Sequence, residues 1–455
     1  MKNSHHKSPV FAPPPAGIIE HRNSLPNGVP HNLYGGIVEL QDGTLLLAYP
    51  EHAGLKPGDP VSSACRISSD GGKTWGEVRP LKSPIGIHGI VRTQSGKLAV
   101  HGDLKFGDRS VYFSSSDDEG HTWTPPVDIG TYPDFYPYLH SLTELSCGRL
   151  LLAGYWEGLN ASFPDLCGEL GAPDTYPYSQ FGWGLWRGRT LFCEGHRGPE
   201  LGVNLVYYSD DGGRTWTKNV GGIFGWFDDR GIPNGERGVI DVNEPNVAET
   251  NDGRLLMVMR SKTGRLLQSY SLDRGRTWLS VLPSELAASQ TTPMLIRIPR
   301  TGDLLCVWNQ VSGEEIRRGF QRGRLSAALS RDSGLTWENF KTLELQEGMD
   351  TTARITPEFP LVVRLTSRIA MGVLPEGFMM YSQPNIDIAS DLVFIRYTRI
   401  WPQETDDKNR EPACWPRYWP IRENPATDTG VAMTGTENVL RIYPVDWFYE
   451  SGDKR

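Results

Sequence analysis

One octapeptide pattern, S-x-D-x-G-x-T-W, occurs five times without a mismatch: SSDGGKTW at 68–75, SDDEGHTW at 116–123, SDDGGRTW at 209–216, SLDRGRTW at 271–278 and SRDSGLTW at 330–337. A chain carrying such copies is built from a repeated supersecondary unit, which constrains its fold more than any local propensity. Each copy follows a strand-like run, such as Val111-Tyr112-Phe113 or Leu205-Val206-Tyr207-Tyr208. The D-x-G core suits a tight turn, because Asp bonds nearby backbone amides and Gly tolerates positive φ. The closing Trp, with its large apolar surface, is expected to fold back and anchor the hairpin. These aspartates read as structural.

A second repeat precedes each copy, a turn glycine followed by a β-rich run: QDGTLLLAY (41–49), QSGKLAVHG (94–102), SCGRLLLAG (146–154), NDGRLLMVMR (251–260) and RTGDLLCVWN (300–309). The repeated aspartates, at 70, 118, 211, 273 and 332, lie 48, 93, 62 and 59 residues apart. Units of roughly 40–50 residues with several strands are propeller blades. The interval of 93 holds only one such run, which points to an insertion near 155–200. A sixth unit, ASDLVFIRYTR (389–399), lacks the octapeptide. The last run, VLRIY at 439–443, is placed to pair with an early strand and close the ring, which removes exposed edges. Helical periodicity is weak throughout, with SELAA at 284–288 at most a turn of helix. The expected fold is all-β, a six-bladed β-propeller over 30–455 preceded by a partly disordered extension at 1–29.

Composition narrows the function classes. Gly 50 and Pro 34 suit many tight turns, and 10% aromatic content excludes disorder over the bulk of the chain. A net charge of −8 gives no basic character that would recommend nucleic acid. No run of 18 apolar residues offers a membrane span. The N-terminus MKNSHHKSPVFAPPPAG has no apolar core of a signal peptide, so the expected compartment is the cytoplasm, or outside it if a leader has been removed. Six cysteines, at 65, 147, 167, 193, 306 and 414, form no C-x-x-C pair, which argues against a structural zinc site or a dense disulfide framework.

The octapeptides resemble the Asp-box, or BNR, repeats of the sialidase superfamily, and the chain from about 30 to 445 resembles that fold. The resemblance implies a Tyr nucleophile polarised by a Glu, an Asp acid/base, and three Arg that clamp a substrate carboxylate. A neutral Tyr avoids the repulsion a carboxylate nucleophile would meet from an anionic sugar, and guanidinium forks bind a carboxylate in bidentate fashion. Asn243-Glu244-Pro245-Asn246-Val247, running into NDGRLLMVMR, resembles the family's Glu strand and second clamp Arg, hence Glu244 and Arg260. Gln321-Arg322-Gly323-Arg324 stands where the third Arg lies, with Arg322 at the closer spacing and Arg324 as the alternative. Met380-Tyr381-Ser382 resembles the nucleophile strand, with Gln383-Pro384 as an addition that lengthens the spacing to the following turn. Gly58-Asp59-Pro60 supplies Asp59 as the acid/base, in competition with Asp103 and Asp134.

The family's opening Arg has no counterpart in HNLYGGI at 31–37. Loss of one fork weakens carboxylate recognition by about 1.5–3 kcal/mol and leaves the acidic sugar's identity open. His88 (GIHGIV) and His140 (YLHSLT) occupy equivalent positions in consecutive units and, with His31, are candidates to bind sugar hydroxyls or move protons. No ligand spacing among these and Asp103 supports a metal, so neither metal nor cofactor is expected. The insertion is rich in aromatics, among them Phe163, Tyr176 and Trp183, suited to a wall against which sugar faces stack. The reading is a retaining, sialidase-like glycoside hydrolase that removes a terminal acidic sugar from glycans. The alternatives are a glycan-binding propeller without catalysis, and a polysaccharide lyase in which His88 or His140 works with a Tyr beside a uronate carboxylate.

Overall fold

The computed structural model describes residues 11–22, 34–131, 142–157, 181–194, 202–227, 238–357, 380–403 and 432–450, apart from 53, 108–109, 187–188, 241, 262, 290, 318–319 and 321. These residues form six four-stranded antiparallel sheets, with two separate two-stranded sheets. The first five blades run in chain order from inner strand to outer, as in blade 1 with Gly36–Glu39, Leu45–Glu51, Ser62–Ser68 and Arg79–Leu81. Neighbouring blades touch all the way round, and blade 6 meets blade 1. The chain is a six-bladed β-propeller.

Six apolar clusters, one between each pair of adjacent blades, make the core. The octapeptides feed them. Each begins with the last residue of a blade's third strand, and each Trp packs in the cluster against the preceding blade: Trp75, Trp123, Trp216, Trp278 and Trp337 in turn. Within a box the bonds are local. Ser68 donates to Asp70 at 2.8 Å and accepts the Gly72 amide at 2.8 Å, while Asp70 takes the Thr74 amide (2.9 Å) and hydroxyl (2.6 Å). The same set recurs around Asp118, Asp211, Asp273 and Asp332. Trp123 and Trp216 also donate to the carbonyls of Gly120 and Gly213. Gly213, at φ +91°, lies against Phe113 so closely that a Cβ would come within 2.0 Å of the ring. Only glycine meets both demands.

Blade 6 has no box, and the short 3₁₀ helix Val445–Phe448 stands in its place, burying Val445 and Phe448 between blades 5 and 6. Its outermost strand is Ile19–Arg22, with Ile19 opposite Ile442 and Arg22 opposite Val439. The expected pairing of the last run with an early strand is therefore observed, and residues 19–22 are part of the propeller rather than an extension at 1–29. The reason is charge as well as edge pairing, because Glu20 accepts from Arg441 at 2.6 Å and pairs with Arg399 at 3.2 Å.

Most of the 284–288 stretch, read as at most a helical turn, belongs to Leu282–Ala287, the outer strand of blade 4, because pairing with Arg265–Ser271 buries Leu286 and Ala287. In blade 3, Leu150–Glu157 pairs directly with Gly202–Ser209. Phe181–Trp186 and Arg189–Glu194 form their own two-stranded sheet, so the insertion leaves the blade between its second and third strands.

Candidate functional site

The six inner strands line a central channel of about 760 Å³. In every blade the inner strand begins beside the end of the second strand, while the boxes follow the third strand at the opposite pole. Glu244, Arg260, His88 and Asp103 stand where inner strands begin.

Blade 4 contributes Glu244 and Arg260. A bulge between Asn243 and Asn246 frees Glu244 and Pro245 from the ladder, and Glu244 takes φ +47°. Bulges re-aim side chains in this way. Arg260 Nη1 donates to Glu244 Oε2 at 2.7 Å, and Thr292 Oγ1 donates to the same oxygen. All three are buried. Burial alone would raise the Glu244 pKa, but Arg260, Thr292 and the nearby Arg322 outweigh it and hold the carboxylate below its ordinary value.

Arg322 is tied by its backbone to Tyr381, whose amide donates to the Arg322 carbonyl at 2.9 Å. Asn309, fully buried, donates to the carbonyls of Tyr381 (2.9 Å) and Arg324 (3.1 Å) and accepts from Thr291 at 2.5 Å. The main chain of Tyr381 thus sits beside Arg322. Its ring does not join Glu244. It packs in the core between blades 5 and 6, edge-on to Tyr397 at 6.4 Å. Burial pushes its phenol well above 10, and Glu344, the carboxylate facing it, pushes the same way. The expected Tyr381–Glu244 pair is therefore not formed, because Tyr381 lies opposite Arg399 and shares its face toward the blade 5 seam. Gln383-Pro384, suspected as an addition, is a bulge between Ser382 and Asn385.

Two other candidates are held in local structure. Asp59 is the cap of a local turn, its carboxylate accepting the Lys56 amide at 2.8 Å and its carbonyl the Phe106 amide at 2.8 Å. Arg324 is an internal brace, bonded at 2.8 and 3.1 Å to Glu315 of the helix Gly313–Arg317 and to the Gln310 carbonyl. His31, Asp134 and His140 lie outside the described residues. The position of the missing opening Arg is backed by Arg396, which donates to the carbonyls of Tyr34 (3.2 Å) and Gly35 (2.8 Å) and pairs with Asp387 at 3.0 Å.

His88 does reach a polar group, Asp103, and the pair has a third member, His52, that the sequence reading missed. A bulge between Ile87 and Gly89 leaves His88 as the extra residue of its strand, aimed at Asp103, with Nε2 3.2 Å from Oδ1. His52, at the end of blade 1's second strand, places Nε2 3.6 Å from Asp103 Oδ2. Tyr34 stacks on His88 at 4.3 Å. Burial would raise the Asp103 pKa, yet His88 and His52 hold it far below the carboxylate range. A signal for Asp103 existed. Seven residues past the turn glycines Gly96, Gly253 and Gly302 stand Asp103, Arg260 and Asn309, three site residues at one repeat position.

Residues 185–393 match the BNR repeat-like domain. No curated protein matches the chain. Among solved structures it is similar to the Hadza microbial sialidase Hz136, at 17% identity over 81% of this chain and 64% of that one, TM-score 0.45. A protein of unknown function from Dyadobacter fermentans gives 12%, 94%, 99% and 0.48 for the same quantities. The α-L-arabinanase of Penicillium chrysogenum, complexed with arabinobiose, gives 13%, 81%, 89% and 0.42. The chain spans less than two thirds of the Hadza sialidase's length. With five Asp-boxes on six blades, it is a BNR-repeat propeller, and its resemblance to the sialidase superfamily is borne out at the level of fold and repeat.

Proposed function

We propose that this chain acts on glycans and recognises a terminal acidic sugar at the pole where its inner strands begin. One observation carries the reading: Glu244, Arg260 and Arg322 come together there, buried, and guanidinium forks are suited to a sugar carboxylate. Arg322 is the residue we assign to the carboxylate, and Glu244 fixes Arg260 in place.

Hydrolysis with retention through Tyr381, Glu244 and Asp59 is the finer reading. It requires the Tyr381 ring to leave the core, so recognition stands ahead of cleavage. A lyase is the second reading, favoured by His88 between Asp103 and Tyr34. One experiment separates them. Wild type, Arg322→Met and Tyr381→Phe are incubated with sialylated, uronate-capped and neutral glycans, and binding and released sugars are measured. We expect acidic glycans to bind in preference to neutral ones, with the preference falling about 10- to 100-fold in Arg322→Met, the worth of a charged hydrogen bond. Equal binding of neutral glycans would sink the proposal. A saturated sugar released by wild type and not by Tyr381→Phe would establish the hydrolase, and an unsaturated one the lyase.

A further inference from the structure

Three side chains of blades 1 and 2 converge at the same pole: His52 directly follows a second strand, His88 sits on the bulge of an inner strand, and Asp103 ends the next second strand. One ligand-type atom from each lies within 4.8 Å of the others. All are more than nine-tenths buried, at 8%, 6% and 7% exposure. Their polar atoms are nevertheless left over. His52 Nε2, both ring nitrogens of His88 and Asp103 Oδ1 make no hydrogen bond, since the 3.2 Å approach of His88 to Asp103 lacks hydrogen-bond alignment. Buried polar atoms without partners are costly and rare, and one way to satisfy them is a bound ion.

The spacing fits such an ion. Zinc-type ions bind imidazole nitrogen and carboxylate oxygen at roughly 2.0–2.2 Å, so two ligands on a tetrahedron stand ~3.3 Å apart. The observed separations bracket this, at 3.2 Å from His88 Nε2 to Asp103 Oδ1 and 3.6 Å from His52 Nε2 to the other carboxylate oxygen, Oδ2. The surroundings also keep the cluster open at its centre. At Gly86 a Cβ would fall 2.6 Å from Asp103 Oδ1, so only glycine leaves this space clear. Tyr34 and Phe106 close around the two imidazoles at 4.3 Å and 5.4 Å.

We propose that His52, His88 and Asp103 form a binding site for a single divalent transition-metal ion of the zinc type. Two imidazoles and one carboxylate select such an ion over calcium or magnesium, which take oxygen ligands. Three protein ligands leave a coordination position for water or a substrate oxygen, and His88 lines the central channel. This site is independent of the sugar-acid subsite at Glu244, and its test does not use glycans.

The protein, stripped with a chelator, is titrated with Co²⁺ and with Zn²⁺, following bound metal per chain, the visible absorption of Co²⁺ and the melting temperature. Wild type is expected to take up one equivalent, to develop the intense visible bands of a low-coordinate cobalt site, and to melt higher with metal than without. His88→Ala, and separately Asp103→Asn, are expected to bind at least 100-fold more weakly. Wild type that binds no stoichiometric cobalt overturns the proposal, as does a His52→Ala, His88→Ala double variant with unchanged binding. The wild-type uptake and spectrum decide the matter even if a variant fails to fold.

Discussion

At the seam between blades 5 and 6, Glu344 accepts from Arg399 at 2.9 Å and from Tyr397 at 2.5 Å, with Arg441 at 3.0 Å. Glu437 and Glu20 take further guanidinium donors at 2.6 Å each. At the channel pole His52, His88 and Asp103 are comparably buried, yet His52 Nε2, both His88 ring nitrogens and Asp103 Oδ1 have no hydrogen bond. The two groups cost the fold the same kind of desolvation and answer it differently. Every seam carboxylate has a guanidinium partner, and what it holds is the N-terminal strand that closes the ring. The pole keeps unspent ligand capacity. Saturation, more than burial, separates charges that serve architecture from charges kept for a partner.

The largest effect that would break this comparison is at the seam. Glu344→Gln leaves Arg399 and Arg441 without their shared carboxylate, and should cost about 4–5 kcal/mol in denaturant unfolding, as expected when one member of a buried ion cluster is removed. A loss below about 1 kcal/mol would show that Glu20 and Glu437 suffice. Next come the two arginines that the sequence offered as first choice and alternative. Arg324→Met strands the buried Glu315 and should cost about 3–4 kcal/mol while sparing the preference for acidic glycans. Arg322→Met should remove that preference. The reverse assignment of losses would exchange their roles.

A smaller effect tests the boxed pole. Gly213→Ala places a Cβ 2.0 Å from Phe113 at φ +91°, and overpacking plus left-handed backbone should cost about 2–3 kcal/mol. Gly212→Ala is the control, with φ +74° but nothing within 4 Å, and should cost about 1 kcal/mol. Similar losses in both would mean that the close approach to the neighbouring blade contributes nothing.

The contrast between poles also explains what was legible in the sequence. Each box is bonded within itself from Ser to Thr, so its residue types and spacing had to appear in the chain. The sheet order followed from the repeat. The channel pole is assembled across blades, with Glu244 meeting Thr292 and His52 meeting Asp103, and no local spacing records such contacts. Glu244 and Arg260 were readable because they flank one hairpin. Tyr381 shows the limit. Strand side chains alternate between faces, so whether a Tyr beside a bulge points to the channel or the seam is a matter of register. The sequence revealed the extra Gln383-Pro384 and not the direction of the ring.

The smallest effect concerns the box carboxylates, and its sign is fixed. Hydrogen bonds from the Thr74 and Thr122 hydroxyls and the Thr215 amide, with their companion bonds, hold Asp70, Asp118 and Asp211 down at about 2. An unfolded chain would titrate them near ~3.9. A carboxylate depressed in the folded state contributes stability above its unfolded value and loses it as the pH falls toward the folded one. The melting temperature should therefore be insensitive to these groups above about pH 5 and decline as the pH approaches 2. Asp70→Asn removes one titrating group while keeping an oxygen that can accept the Thr74 amide. Its melting temperature should sit slightly below wild type at neutral pH, with the gap closing as the acid end is reached. Because Asp70 is exposed to solvent, the gap should be smaller than for either seam or glycine variant. A gap that stays constant from neutral pH to pH 2 would show that the box depends on the shape of its turn and owes nothing to its charge.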